Sequence, residues 1–162
     1  MRNAEILVVT TDSNLSLNLF RKICKEIIET NNKIIFGFLP IDDQFEIHLY
    51  AVEWEAQAGD YAWKSLARKA LGSLVLFDWH DEKSMEKMQQ ILDYFGENFE
   101  LPLMIAANLN SEHEKFPAKL YRGGLSVTSA SRFSFYNAES PDSMRELIVG
   151  LININLEVIA KD

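Results

Sequence analysis

The chain has 162 residues, 48% of them apolar and 11% aromatic, which is one domain's worth of sequence with ample hydrophobic surface for a core and too much for an unfolded chain. Asp and Glu number 24 against 16 Lys and Arg, a net charge of −8 that repels nucleic-acid phosphates and anionic lipid; the basic residues are scattered, so neither nucleic acid nor a membrane surface is expected as a partner. The single cysteine, Cys24, excludes an intramolecular disulfide and a multi-cysteine zinc site, and with no membrane-length apolar run and no signal-peptide start the chain is expected to be cytoplasmic.

Hydrophobic period and punctuation give the elements in chain order. Glu5 to Val9, apolar and β-branched, predicts a strand, and Thr10-Thr11-Asp12-Ser13-Asn14 supplies capping and turn residues for a helix. That helix is expected over about Leu15 to Thr30, with Leu15, Leu19, Phe20, Ile23, Cys24, Ile27 and Ile28 on one stripe, and Asn31-Asn32 ends it. Lys33 to Leu39 and Phe45 to Val52 are strands joined by Pro40-Ile41-Asp42-Asp43-Gln44. So short a joint forces a hairpin, because parallel neighbours need a crossover of about a dozen residues. In the second of these strands Phe45, Ile47, Leu49 and Ala51 alternate with Glu46, His48 and Tyr50, which turns His48 outward. A polar stretch from Glu53 to Asp60 leads to a helix near Tyr61 to Leu71, a buried strand over Ser73 to Phe77 and a helix over roughly Glu82 to Phe95. Pro102 to Ala107 is a further buried strand, Pro117 to Tyr121 a short helix, Gly123-Gly124 a loop, and Arg132 to Tyr136 the last strand. Ser140 as cap and Pro141 at the first helical position open a final helix, with Met144, Leu147, Ile148, Leu151, Ile152 and Ile159 inside.

This order predicts one α/β domain over residues 1–162. It is a three-layer sandwich whose sheet has about six strands, mostly parallel, with one antiparallel edge strand from the hairpin and helices on both faces. Such sheets bind ligands at the carboxyl ends of their strands, here the loops after Val9, Val52, Phe77, Ala107 and Tyr136. A phosphate-binding loop at the first of these needs G-x-x-x-x-G-K-[ST]: glycines so that backbone N–H groups wrap the phosphates, a lysine to neutralise them, a hydroxyl for magnesium. The corresponding positions are Thr10, Leu15, Ser16 and Leu17, and Asp12 adds a repelling charge. With charge-assisted phosphate contacts worth roughly 1.5–3 kcal/mol each, losing several lowers affinity by orders of magnitude. Thr10, Ser13, Asn14 and Ser16 then either hold a weak anion at the helix N-terminus or simply cap a structural helix.

Several stretches taken together carry a resemblance: Glu5-Ile6-Leu7-Val8-Val9, Phe36-Gly37-Phe38-Leu39-Pro40-Ile41, Leu71-Gly72-Ser73-Leu74-Val75-Leu76-Phe77-Asp78, Leu103-Met104-Ile105-Ala106-Ala107-Asn108, and Phe135-Tyr136-Asn137-Ala138-Glu139-Ser140-Pro141-Asp142-Ser143. In this order and spacing the chain resembles the small Ras-like GTPases of the P-loop NTPase fold, in particular the bacterial small G proteins related to the gliding-motility switch protein. The resemblance implies a degenerate nucleotide site. The family's aspartate-x-x-glycine turn falls on Glu53-Trp54-Glu55-Ala56, keeping an acid and losing the glycine, and its water-positioning glutamine falls on Gln57. Its guanine-reading asparagine-lysine-x-aspartate falls on Asn108-Leu109-Asn110-Ser111, where only the asparagine is kept, and Ala138 takes the place of a backbone contact to guanine. The first switch loop is compressed to Glu29-Thr30-Asn31-Asn32, and Trp54, Tyr61 and Trp63 crowd the second switch, where with Gln57 they either anchor a partner or are packing residues that plug the empty nucleotide cleft or pack the next helix.

What the resemblance implies is a catalytically inactive GTPase-like regulatory module of bacterial signalling or polarity. It needs no cofactor, and a roadblock-type regulator or a second copy of itself is the partner. The alternative is a divergent GTPase that holds GTP or GDP with Mg through Asn108 and hydrolyses it with Gln57. The remaining constellations are weaker. His80 and His113 lack metal-ligand spacing, Cys24 lies on an apolar stripe, and Glu53 and Glu55 near Asp12 and Asp78 would hold a cation or repel a nucleotide. A receiver domain is disfavoured by the hairpin at Pro40 to Gln44.

Overall fold

Ile6-Leu7-Val8-Val9 has no polar residue on either side of its pleat, which suits a strand covered on both faces, and all four side chains are fully buried. The computed structural model describes residues 2–30, 33–55, 64–109 and 131–161. Its elements are β1 (Arg2–Thr10), α1 (Ser13–Ile23), β2 (Glu26–Glu29), β3 (Ile35–Pro40), β4 (Phe45–Glu53), α2 (Lys64–Lys69), β5 (Gly72–Asp78), α3 (Glu82–Asn98), β6 (Leu103–Leu109), β7 (Ser131–Asn137) and α4 (Pro141–Lys161).

The strands form one seven-stranded sheet in the order β2-β3-β4-β1-β5-β6-β7. From β4 to β7 neighbours run parallel, whereas β3 is antiparallel to both β2 and β4. Alternation along β1 splits the core in two. Ile6 and Val8 join Leu19 and Phe20 of α1 and Leu147 and Leu151 of α4 on one face, while Leu7 and Val9 join Ala67 of α2 and Met88 and Ile91 of α3 on the other. The result is the expected three-layer α/β arrangement, mostly parallel with an antiparallel edge, but with one strand more than predicted.

The extra strand corrects the first helix. Expected to reach Thr30, α1 stops at Ile23, and Cys24 takes an extended conformation with its N–H donating to the Phe20 carbonyl at 2.8 Å. Ile23, Cys24, Ile27 and Ile28 have the spacing of a helical stripe, but Ile27 and Ile28 are β-branched and find a backbone ladder on β3. Ile27 then packs at the core margin while Ile28 points away and stays 44% exposed. Glu29, expected in the compressed switch loop, is therefore the last residue of β2. Thr30 donates from both its N–H and its hydroxyl to the Ile34 carbonyl, and Lys33 adopts φ 62; Asn31 and Asn32 lie outside the described residues.

Other boundaries shift less. Within the segment expected from Tyr61 to Leu71 the described helix is α2, and Tyr61 and Trp63 fall outside the described residues, as do Pro117 to Tyr121 and Gly123-Gly124. α3 runs one turn past its expected end, and α4 opens as predicted, with Ser140 Oγ accepting from the Ser143 N–H at 3.2 Å. His48, expected to be exposed, is partly buried: its ring lies edge-on to Phe38 at 5.0 Å and its Nε2 is 2.8 Å from Glu46 Oε1. Among the described residues no helix is long and apolar enough to cross a membrane.

Gly37 lets α1 come down onto β3. A Cβ there would lie 2.7 Å from Cys24 Sγ and 2.9 Å from Phe20 Cδ2, closer than real contacts allow. Gly37→Ala is expected to cost about 1–3 kcal/mol through overpacking, read from urea unfolding; an unchanged midpoint would show that α1 does not approach this strand so closely. The same packing desolvates Cys24 and pushes its thiol from 9.0 up to about 12. At pH 8 its thiolate fraction then falls about a thousandfold below that of an unfolded cysteine. Alkylation by iodoacetamide is expected to be slow in buffer and fast in urea, and equal rates would contradict the packing.

Candidate functional site

A parallel sheet points the ends of its strands at one edge, and the turn from β1 into α1 decides what that edge can hold. Only Thr11 and Asp12 separate the last residue of the strand from the first of the helix. Asp12 is the N-cap, its Oδ1 accepting from the Asn14 N–H at 2.8 Å and its carbonyl accepting from the Leu15 N–H at 3.0 Å. Thr10 locks the turn from behind, its hydroxyl donating to the Asp12 carbonyl at 2.6 Å and accepting from the Asp12 N–H at 3.1 Å. Ser13, Asn14 and Ser16, the candidate anion contacts, all lie in the first turn of α1. Ser16 is buried with its hydroxyl donating to the Ser13 carbonyl at 2.9 Å, and Leu15 points into the core.

The electrostatics follow from this geometry. The dipole of a helix N-terminus attracts an anion by about 0.3–1 kcal/mol. A carboxylate about 4 Å from a phosphate oxygen repels it by about 4 kcal/mol at an effective dielectric of 20. Asp12 thus takes helix N–H groups an anion would need and repels the anion as well.

Beside this turn the sheet register sets Asp78, Asn108 and Tyr136 in a row across three strands. Asn108, only 4% exposed, donates from Nδ2 to Asp78 Oδ1 at 2.9 Å, so the asparagine expected to read guanine is engaged within the protein. Tyr136 is 3% exposed, and its hydroxyl has no hydrogen-bond partner among the described residues. Burial, and secondarily the Asp78 carboxylate, hold its phenol well above the usual tyrosine range, so it stays neutral. On the other side Ser84 accepts from the Asp78 N–H at 2.8 Å and shares a hydrogen bond with Thr11, whose carbonyl accepts from Lys87 Nζ at 3.3 Å. The Ala138 carbonyl is held by Asn18 Nδ2 at 3.0 Å, tying α1 to the β7–α4 loop.

Trp54 is packed inside. It is 5% exposed, its ring lies 5.3 Å from that of Tyr94, and its indole N–H donates to Gln90 Oε1 at 3.1 Å, fastening the end of β4 to α3. Of its two expected roles, partner anchor or packing, the geometry is that of packing. Gln57, Tyr61, Trp63, Asn110, Ser111 and His113 lie outside the described residues. Glu53 and Glu55 are exposed, with Glu55 Oε1 3.3 Å from Lys33 Nζ, and among the described residues no three His, Cys, Asp or Glu side chains converge as a metal site. Sequence reasoning missed Ser84, Lys87 and Asn18. Ser84 had a local signal, standing three residues after Asp81, the cap of α3, whereas Asn18 meets Ala138 only through the fold.

Asp12→Ala is expected to lower stability by about 1 kcal/mol, with Asp12→Asn nearly neutral because asparagine caps equally well. Equal urea midpoints for Asp12→Ala and the native chain would contradict the cap. Against models of known protein families the chain has no match, and no curated protein is significantly similar to it.

Proposed function

We propose that this chain is a GTPase-like protein that has given up nucleotide chemistry and acts as a regulatory protein-interaction module. The observation that carries this is the Asp12 cap: a two-residue turn closed by its own carboxylate stands where a triphosphate would be gripped. Further support comes from the engagement of Asn108 with Asp78, which spends the surviving guanine-directed amide, and from the sheet. Without β2, six strands remain with one antiparallel, the layout that the resemblance implies.

A partner of roadblock type, or a second copy of the chain, fits this function, in cytoplasmic signalling or polarity. Binding would then depend on exposed faces of the sheet and its edge, because the buried Trp54 is committed to α3. Hydrolysis of GTP, the competing function, requires the nucleotide to bind first. A ligand at a hundred times its dissociation constant adds about 2.7 kcal/mol, a shift of several degrees in a domain of this size. Millimolar GTP or GDP with magnesium is expected to leave the unfolding temperature unchanged, and a rise of several degrees would overturn the proposal.

A further inference from the structure

We infer that the open face of β2, β3 and β4 binds an extended, arginine-bearing segment of a partner protein. This rests on the proposal that the chain works through protein contacts, and it names the surface and the chemistry of the partner.

The register defines the face. Ile28, Phe36 and Tyr50 form one rank across the three strands, and Glu26, Phe38 and His48 form the next. The opposite side of β3 and β4, with Ile35, Leu39, Ile47 and Leu49, is buried in the core shared with α1. On the open side α2 lies against β1 and α3 against β5, and the rings of Phe36, Phe38, His48 and Tyr50 keep part of their surface in solvent. These rings are already ordered, Phe36 against Tyr50 at 4.9 Å and Phe38 against His48 at 5.0 Å, both edge to face. A ligand would therefore spend little entropy in fixing them.

Charge selects the occupant. Glu26, Glu46 and Glu5 stand on this face, with Glu5 Oε1 accepting from the Tyr50 hydroxyl at 3.3 Å and Glu46 Oε1 held by His48. Of the cations next to these strands, Lys25 and Arg2 fall on the opposite side by strand alternation and Lys33 is paired with Glu55; the cations on the open side, Lys64, Arg68 and Lys69, belong to α2, which lies over β1 rather than over β2 and β3. An aromatic surface ringed by carboxylates suits a guanidinium, which stacks on rings and forks onto carboxylates at once. The edge suits an extended chain: among the described residues β2 pairs only with β3, so its outer backbone groups are open to an added strand. A strand added there would place every second side chain on this face.

The test is fluorescence polarisation with the full chain and a labelled peptide alternating arginine with valine, beside one alternating glutamate with valine. The arginine peptide is expected to bind, more weakly as salt rises, and the glutamate peptide not to bind. Glu26→Gln with Glu46→Gln, and separately Ile28→Lys, should each weaken binding at least tenfold, while Glu97→Gln with Glu100→Gln, which remove equal charge at the end of α3, should leave it unchanged. No preference for arginine, or equal loss with both charge pairs, would overturn the surface. A dimer in sedimentation that Ile28→Lys dissolves would also overturn it, in favour of a second copy as occupant. GTP binding in the same assay would overturn the proposed function while leaving the peptide result standing; peptide failure without GTP binding overturns this inference alone.

Discussion

One carboxylate sets the character of this protein. Asp12 caps α1 directly after β1, and with a turn of two residues its carboxylate and carbonyl take the Asn14 and Leu15 N–H groups at the helix start. The same aspartate that stabilises the helix places a negative charge where an anion would dock. Helix capping and repulsion of an approaching anion therefore come from one side chain here, and the remaining polar groups at the sheet edge are arranged around it.

Those groups hold the layers together. Thr10 and Thr11, consecutive along the chain, serve opposite faces: Thr10 locks the turn into α1, and Thr11 meets Ser84 of α3. Asp78 receives the Asn108 amide on its carboxylate and gives its own N–H to Ser84, and Asn18 bridges α1 to the loop before α4. Buried hydrogen-bonded networks of this kind rigidify an edge that binding proteins usually keep open. The proposed partner surface lies away from this edge, on the antiparallel side of the sheet.

Much of the fold was legible because its signals are local. The buried strands at Ile6 to Val9 and Leu74 to Phe77, the hairpin joint at Pro40 to Gln44, and the Ser140-Pro141 helix start each carry their own pattern. The first helix misled because Ile23, Cys24, Ile27 and Ile28 satisfy a helical stripe and a strand equally well, and only the ladder with β3 decides between them. At the site, the missing glycine and lysine were visible as residue types, but the closure was not. That Asp12 caps, that Asn108 turns to Asp78, and that Trp54 is drawn under α3 depend on contacts between elements distant in sequence or on the exact length of a turn.

The most direct measurement is chromatography of whatever heat denaturation releases from the purified protein. A chain whose helix start is closed by Asp12 releases no guanine nucleotide. One equivalent of GDP or GTP per chain would mean that the turn opens to admit a phosphate, and would contradict the account at its centre.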